Sequence, residues 1–255
     1  DFDGAGRFIR YVFLTEAGTD EILAYIDEFL AANGQQHIPE GSKFLRLDLN
    51  GFAIRVEQHT EFLSVSLIEK GRKQAIGLLG DAFDAANSRL PLAWARGIPA
   101  PVFHAIWLEI GGKPPRGINP EKVGAMMQSR AIASSLFSDG AAQLHFAFDI
   151  DDAGFSRIAI FNEQISSNRM GRVVQRIVEL ETYRMLALLG FAAVREHGAT
   201  LGRIERTVGS LTTDLAAQIR QSHGQVQQLL SVLSAQAADL EEIYAKTSYR
   251  LAATK

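Results

Sequence analysis

The sequence predicts an α+β protein, and three observations carry that expectation. Alternating or β-rich segments punctuated by Asn50-Gly51 and Asp139-Gly140 fill the first two thirds of the chain. One order of elements, strand, helix, three-strand meander, helix, can be read twice. From Ala199 onward nothing resembles a strand, and small or apolar residues recur every three or four positions. The reading is an α+β head over 1–165 followed by a long antiparallel helical hairpin or coiled-coil stalk over 166–255.

Arg7 to Leu14 alternates and is rich in Phe, Ile, Tyr and Val, as expected of a half-buried strand. Thr19 is placed as the N-cap of a helix over Asp20 to Ala32, with Ile22, Tyr25, Ile26, Phe29 and Leu30 on one face and Gly34 as its stop. Lys43 to Leu49 and Phe52 to Gln58 flank Asn50-Gly51, the strongest two-residue hairpin signal, for which both turn positions are expected at positive φ. Phe62 to Ile68 supplies a third strand, and Gln74 to Ala86 reads as a helix.

After the Pro-containing loop Leu90 to Pro101 the order recurs. Val102 to Ile110 reads as a strand, and Pro120 to Gln128 as a short helix with Asn119 as N-cap and Pro in its first turn. Ala131 to Phe137 and Ala141 to Phe148 flank Asp139-Gly140, and Phe155 to Phe161 follows the turn Asp151-Asp152-Ala153-Gly154. Equivalent landmarks recur about 90 to 95 positions apart. Halves 7–90 and 102–195 are therefore expected to be a duplication with pseudo-twofold symmetry; the alternative is chance recurrence of an order common in α+β domains.

A strong helix former begins near Ser167 and is apolar almost all round, yet it carries Glu181 and Arg184. His197-Gly198 is expected to break it from a second long helix, making the hairpin. The stripe of that second helix falls at 201, 204, 208, 211, 215, 219, 222, 226, 229, 233, 237, 240, 244, 247 and 251. Consecutive steps of four at 211-215-219 and 229-233-237 shift the heptad locally to an 11-residue repeat and lessen left-handed supercoiling. Some 50 helical residues would reach about 75 Å, with His223-Gly224 as a candidate bend.

Composition excludes several classes. With 47% hydrophobic residues in 255, the chain can bury a core. Lys+Arg 26 against Asp+Glu 29 provides no global basic field, so nucleic acid is not an expected partner. No cysteine is present, which removes disulfides, thiol catalysis and cysteine-ligated metals. The longest apolar run, Met185 to Val194, is half of the roughly 20 residues needed to cross a bilayer.

The tightest polar cluster is Glu57-Gln58-His59-Thr60-Glu61. A histidine between carboxylates can act as a general base or join a metal site, and a continuous strand would place Glu57, His59 and Glu61 on one face. The favoured reading is plainer, a solvated turn with a charge-supported histidine, and no metal or cofactor is expected. Asp149 to Gly154 echoes the start of a calcium loop, but the closing carboxylate is missing because Ile160 stands at position twelve, so a hairpin turn is preferred. His104 and His145 read as core or face residues. On the signature helix Arg176 can pair with Glu179 and Glu181 with Arg184. A buried Glu181–Arg184 pair is preferred over an anion pocket lined by Arg172 and Arg176. No phosphate loop or serine nucleophile elbow occurs.

Arg169-Met170-Gly171-Arg172-Val173-Val174-Gln175-Arg176-Ile177-Val178-Glu179-Leu180-Glu181-Thr182-Tyr183-Arg184-Met185, continuing through Leu189, resembles the signature of a bacterial family of predicted membrane-anchored proteins of unknown function. Glu57 to Phe62 and Asp152 to Arg157 resemble two further signatures of that family, in the expected order. The resemblance implies a soluble N-terminal part, long helices and a C-terminal hydrophobic anchor in segments outside this chain. It also implies association with the bacterial inner membrane, the soluble part lying in the cytoplasm. A family signature containing Glu-Leu-His-Ala-Arg-Pro would precede Asp1, and where members tend to carry Trp and Arg before His-Thr-Glu-Phe, this chain has Val56 and Gln58. No catalytic residues transfer.

The leading expectation is a non-enzymatic, membrane-tethered protein whose helices over 199–251 self-associate or dock a helical partner. The alternative is a ligand- or metal-binding module or enzyme built on Glu57, His59, Thr60 and Glu61, joined by Arg172, Arg176, Glu181 and Arg184.

Overall fold

In a computed structural model that describes residues 5–15, 18–39, 41–72, 82–114, 116–218 and 226–252, strand β1 (Ala5–Leu14) lies near the middle of an eight-stranded mixed sheet. The remaining strands are β2 (Phe44–Leu49), β3 (Phe52–Gln58), β4 (Phe62–Arg72), β5 (His104–Gly111), β6 (Ile132–Phe137), β7 (Ala142–Ile150) and β8 (Phe155–Asn162). Their spatial order is β2-β3-β4-β1-β5-β8-β7-β6. Every strand expected from the sequence is present with its ends within a few residues. The helix expected over Gln74 to Ala86 lies mainly outside the described residues, and its described end is a single 3₁₀ turn at Ala85–Asn87.

The chain divides into two compact units, Asp1–Leu180 and Glu181–Lys255. In the first, the sheet is covered on both faces. Ile9, Tyr11, Phe13, Val65, Leu67 and Trp107 meet helix α1 (Thr19–Ala32) through Ile22, Ile26 and Leu30, together with α2 (Leu92–Arg96) and α3 (Pro120–Met127). On the opposite face Phe8, Ile106, Leu108, Ile110, Ile158 and Ile160 meet Met170, Val174 and Val178, from the start of helix α4 (Ser167–Gln218). β1 is thus buried along both faces, where the sequence reading had it half-buried. The reason is its neighbours: β4 on one side and β5 on the other put it at the sheet's centre.

Local chemistry explains the ends. Asn119 caps α3, its side chain accepting from the Lys122 N–H at 2.9 Å, with Pro120 following. Gly34, at φ 72°, closes α1: its N–H donates to Ala31 O, and that of Gln35 donates to Leu30 O. Gly18, not Thr19, occupies the N-cap of α1, at φ 88° and with no side-chain cap bond. In the Asn50-Gly51 turn only Gly51 has positive φ, so the turn departs from the expected doubly positive form.

The two halves mirror each other in strand order and differ in strand direction. β1 pairs antiparallel with β4, whereas β5 pairs parallel with β8. A twofold axis between β1 and β5 would make those two pairings alike. The connections account for the difference. The segment 33–43 between α1 and β2 can span about 30 Å when extended, enough to return the chain along the sheet, whereas 128–131 between α3 and β6 cannot.

In the second unit, α4 runs on without interruption through His197-Gly198. The break expected there does not occur, because a single glycine costs a helix only about 1 kcal/mol and is carried by the good helix formers around it. Helix α5 (Val226–Ala252) follows, and the candidate bend at His223-Gly224 lies outside the described residues. Arg203 of α4 reaches Asp239 of α5 at 3.4 Å. Thr207, Thr212 and Thr213 fold their hydroxyls back onto carbonyls one turn earlier.

Candidate functional site

The Glu57 to Glu61 segment is a tight hairpin joint and not a continuous strand. β3 ends at Gln58, and the His59 N–H donates to Phe62 O at 2.8 Å across the two-residue turn Thr60-Glu61. Thr15 ties the joint to the end of β1: its N–H donates to Glu61 O, and its hydroxyl to the Thr60 and Glu61 carbonyls. Glu57, His59 and Glu61 therefore do not line one face. The His59 ring stacks on Phe62 with centroids 4.1 Å apart. Burial pushes its pKa below the ordinary value, Arg10 adding to the shift while Glu57, Glu179 and Glu61 oppose it.

Glu57 is occupied. Its Oε2 accepts from Arg10 Nη2 at 2.7 Å and its Oε1 from Arg55 Nη2 at 2.5 Å. Arg10, Ser66 and Arg55 lie in one row across β1, β4 and β3, and Arg10 Nε also donates to Ser66 Oγ at 3.1 Å. Burial pushes the Arg10 guanidinium below its ordinary value, with Glu57 opposing most strongly and Glu179 of α4 adding to that opposition. Glu179 is held by Gln175 Nε2 at 2.9 Å, in place of the expected Arg176. Both carboxylate oxygens of Glu57 are thus taken by guanidinium groups. Among the described residues no three His, Asp or Glu side chains form a group that could hold a metal ion.

The other expected residues are divided between the two units. Arg172 and Arg176 are exposed, so they line no buried anion pocket. In the second unit Glu181 is buried and pairs with Arg184 through two bonds, at 2.6 and 2.9 Å, the i,i+3 pair that the spacing predicts. Asp151 accepts from the Ala153 and Phe155 N–H groups and from Arg157 Nε, which is a hairpin turn and not a calcium loop. An open cleft of about 740 Å³ between α3 and the β6 side of the sheet includes Ser129, Arg130 and Asp149 in its lining, and none of the residues of the Glu57 to Glu61 cluster or of the signature helix.

A second polar cluster, not foreseen, occupies the opposite face of the sheet. Arg7 stands directly between Glu69 on β4 and Glu109 on β5 in the strand register, and all three are at most 1% exposed. Glu109 Oε1 accepts from Arg7 Nε at 2.6 Å and Trp107 Nε1 at 2.8 Å, and more distantly from the Phe83 N–H at 3.4 Å. Glu69 Oε1 accepts from Arg89 Nε at 2.9 Å. Arg157 pairs with Asp151 at 2.7 Å. Arg7 lies 4.9 Å from the Trp107 ring centroid and Arg157 lies 5.1 Å from that of Phe83. Phe83 itself adopts φ 63°, a strained conformation for a bulky residue. Three cations, Arg7, Arg89 and Arg157, thus offset three carboxylates, Glu69, Glu109 and Asp151.

The fold and its two buried ion clusters define an α+β protein whose strongest polar chemistry is interior. A family model described as "Protein of unknown function (DUF3422)" matches residues 2–255, and the chain belongs to that family. No curated protein and no solved structure matches it.

Proposed function

We propose that the chain is a non-enzymatic protein that self-associates through helix α5. The observation that carries this reading is a second apolar stripe on α5, distinct from its inward side. Leu230, Leu233, Ala237, Leu240 and Tyr244 follow steps of three and four and are all exposed, Leu230 at 57% and Tyr244 at 72%. Leu229, Val232, Asp239 and Ile243 fall on the more covered side. Five exposed apolar residues in 3-4 spacing form the a/d seam of a coiled coil. α4 adds Ala187, Val194, Leu201 and Val208, exposed at intervals of seven.

A second copy is the occupant that fits the seam's flanks. With Leu230 and Leu233 as a and d, the e positions are Ser234 and Glu241 and the g positions Leu229 and Gln236. A parallel pair then joins Ser234 to Leu229 and Glu241 to Gln236, with no like charges opposed. Membrane tethering belongs to the same proposal and rests on the sequence resemblance: no helix among the described residues is long and apolar enough to cross a membrane, so the tether would come from outside these residues. The bacterial inner membrane, with both units on the cytoplasmic side, is the setting proposed.

Sedimentation velocity tests the association. The wild-type chain is expected to sediment as an oligomer that Leu233→Glu combined with Leu240→Glu converts to a folded monomer. A wild type that is monomeric at all accessible concentrations, or an oligomer unchanged in the double variant, overturns the proposal, and the second result would point to another surface.

A further inference from the structure

Arg7 is a fully buried cation whose hydrogen bonding the fold leaves incomplete. Its Nε is committed to Glu109, but Nη1 and Nη2 are buried without a partner. Directly opposite on β4, Glu69 commits Oε1 to Arg89 and leaves Oε2 buried without a partner. Directly opposed residues on one face stand with Cβ atoms about 5 Å apart, yet these two side chains do not bond each other. Arg157 Nη1 is a further donor in the same state. Leaving such a group unsatisfied forfeits its hydration without return, and unsatisfied buried groups in folded proteins mark an uncounted water, an ion or a working site.

The arrangement offers two donors from Arg7 and, beside them, one anionic acceptor. An oxyanion with no proton would satisfy Arg7 and be repelled by Glu69 Oε2. One that keeps a hydroxyl satisfies both, its oxygens accepting from the guanidinium while its O–H donates to the carboxylate. We propose that Arg7 and Glu69 bind a protonated oxyanion of the hydrogen phosphate type. The Arg89 side chain, 62% exposed, bonds the other carboxylate oxygen of Glu69 and is the solvent-facing member of the cluster, so the route for an ion would pass it. The Trp107 ring forms the floor beneath the Arg7 guanidinium.

Trp107 is therefore the reporter. The full chain carrying Trp94→Phe, which leaves Trp107 as the sole tryptophan, is titrated with inorganic phosphate at constant ionic strength and pH 7 while emission is recorded. A saturable change is expected. Sulfate, which has no hydroxyl at this pH, should bind at least about tenfold more weakly, the equivalent of one charge-assisted hydrogen bond, and a phosphate monoester, largely stripped of its second proton, should also be weaker. Arg7→Lys should lose the response, and Glu69→Gln should narrow the gap between phosphate and sulfate. No saturable response to phosphate, equal binding of sulfate and phosphate by the parent, or an undiminished response in a folded Arg7→Lys variant would each overturn the site. Should Arg7→Lys fail to fold, the phosphate-to-sulfate ratio in Glu69→Gln decides, an unchanged ratio counting against the proposal.

Discussion

Arg7 and Arg10, three residues apart on β1, are both almost wholly buried, at 0% and 1% exposure, on opposite faces of the same strand. Each anchors its own ion cluster: Arg7 with Glu109, and Arg10 with Glu57 and Ser66. A buried charge survives only when its partners compensate for the lost hydration. The central strand thus ties the sheet's neighbours together on both faces through guanidinium groups as well as through its apolar residues.

Arg10→Ala should destabilise the first unit by about 3 kcal/mol, the scale of breaking a buried ion pair from one side. Ser66→Ala, which removes one neutral acceptor, should cost about 1 kcal/mol. Urea unfolding followed by circular dichroism measures both. A cost for Arg10→Ala no larger than that for Ser66→Ala would show that Arg55 alone suffices to hold Glu57.

Burial lowers the pKa of both His59 and His145 below their ordinary value of 6.5. A group whose folded pKa is depressed stabilises the fold fully above its unfolded pKa, and that contribution is lost as the pH falls towards the folded value. Stability should therefore decline from pH 6.5 downward, before ordinary carboxylates titrate near about pH 4. His59→Gln combined with His145→Gln should flatten the stability profile immediately below the ordinary histidine value of 6.5. Parallel profiles for variant and wild type would show that neither histidine is held neutral by the fold.

Gly198 lies inside α4 with open space around the position of a Cβ, and its φ is not positive. Gly198→Ala should then stabilise the chain by about 0.5–1 kcal/mol through helix propensity, raising the midpoint of thermal unfolding. A loss of stability would instead place a turn at His197-Gly198.

Much of the architecture was legible because turn chemistry is local. Asn119-Pro120, Asn50-Gly51, Asp139-Gly140 and the Asp151 turn each set an element boundary without help from distant residues. The pairing of β5 with β8 was not legible, since strand direction depended on how far segments 33–43 and 128–131 could carry the chain. The polar cluster at Glu57 was found, but its partners were not. Arg7 to Leu14 read as a half-buried strand, although Phe8, Ile9, Tyr11, Val12 and Phe13 already place apolar residues on both faces, which marks a strand buried on both sides. Glu69 and Glu109 lacked any local signal. They matter because the register sets each opposite Arg7.

The central claim is that the exposed seam of α5 meets the same seam of a second copy. The chain contains no cysteine, so single cysteines can be placed and oxidised without a competing thiol. Leu233→Cys and Leu240→Cys should form disulfide-linked dimers rapidly, while Ala235→Cys, off the seam, should not. Equal slow cross-linking at all three positions, or preference for position 235, would contradict self-association through this face.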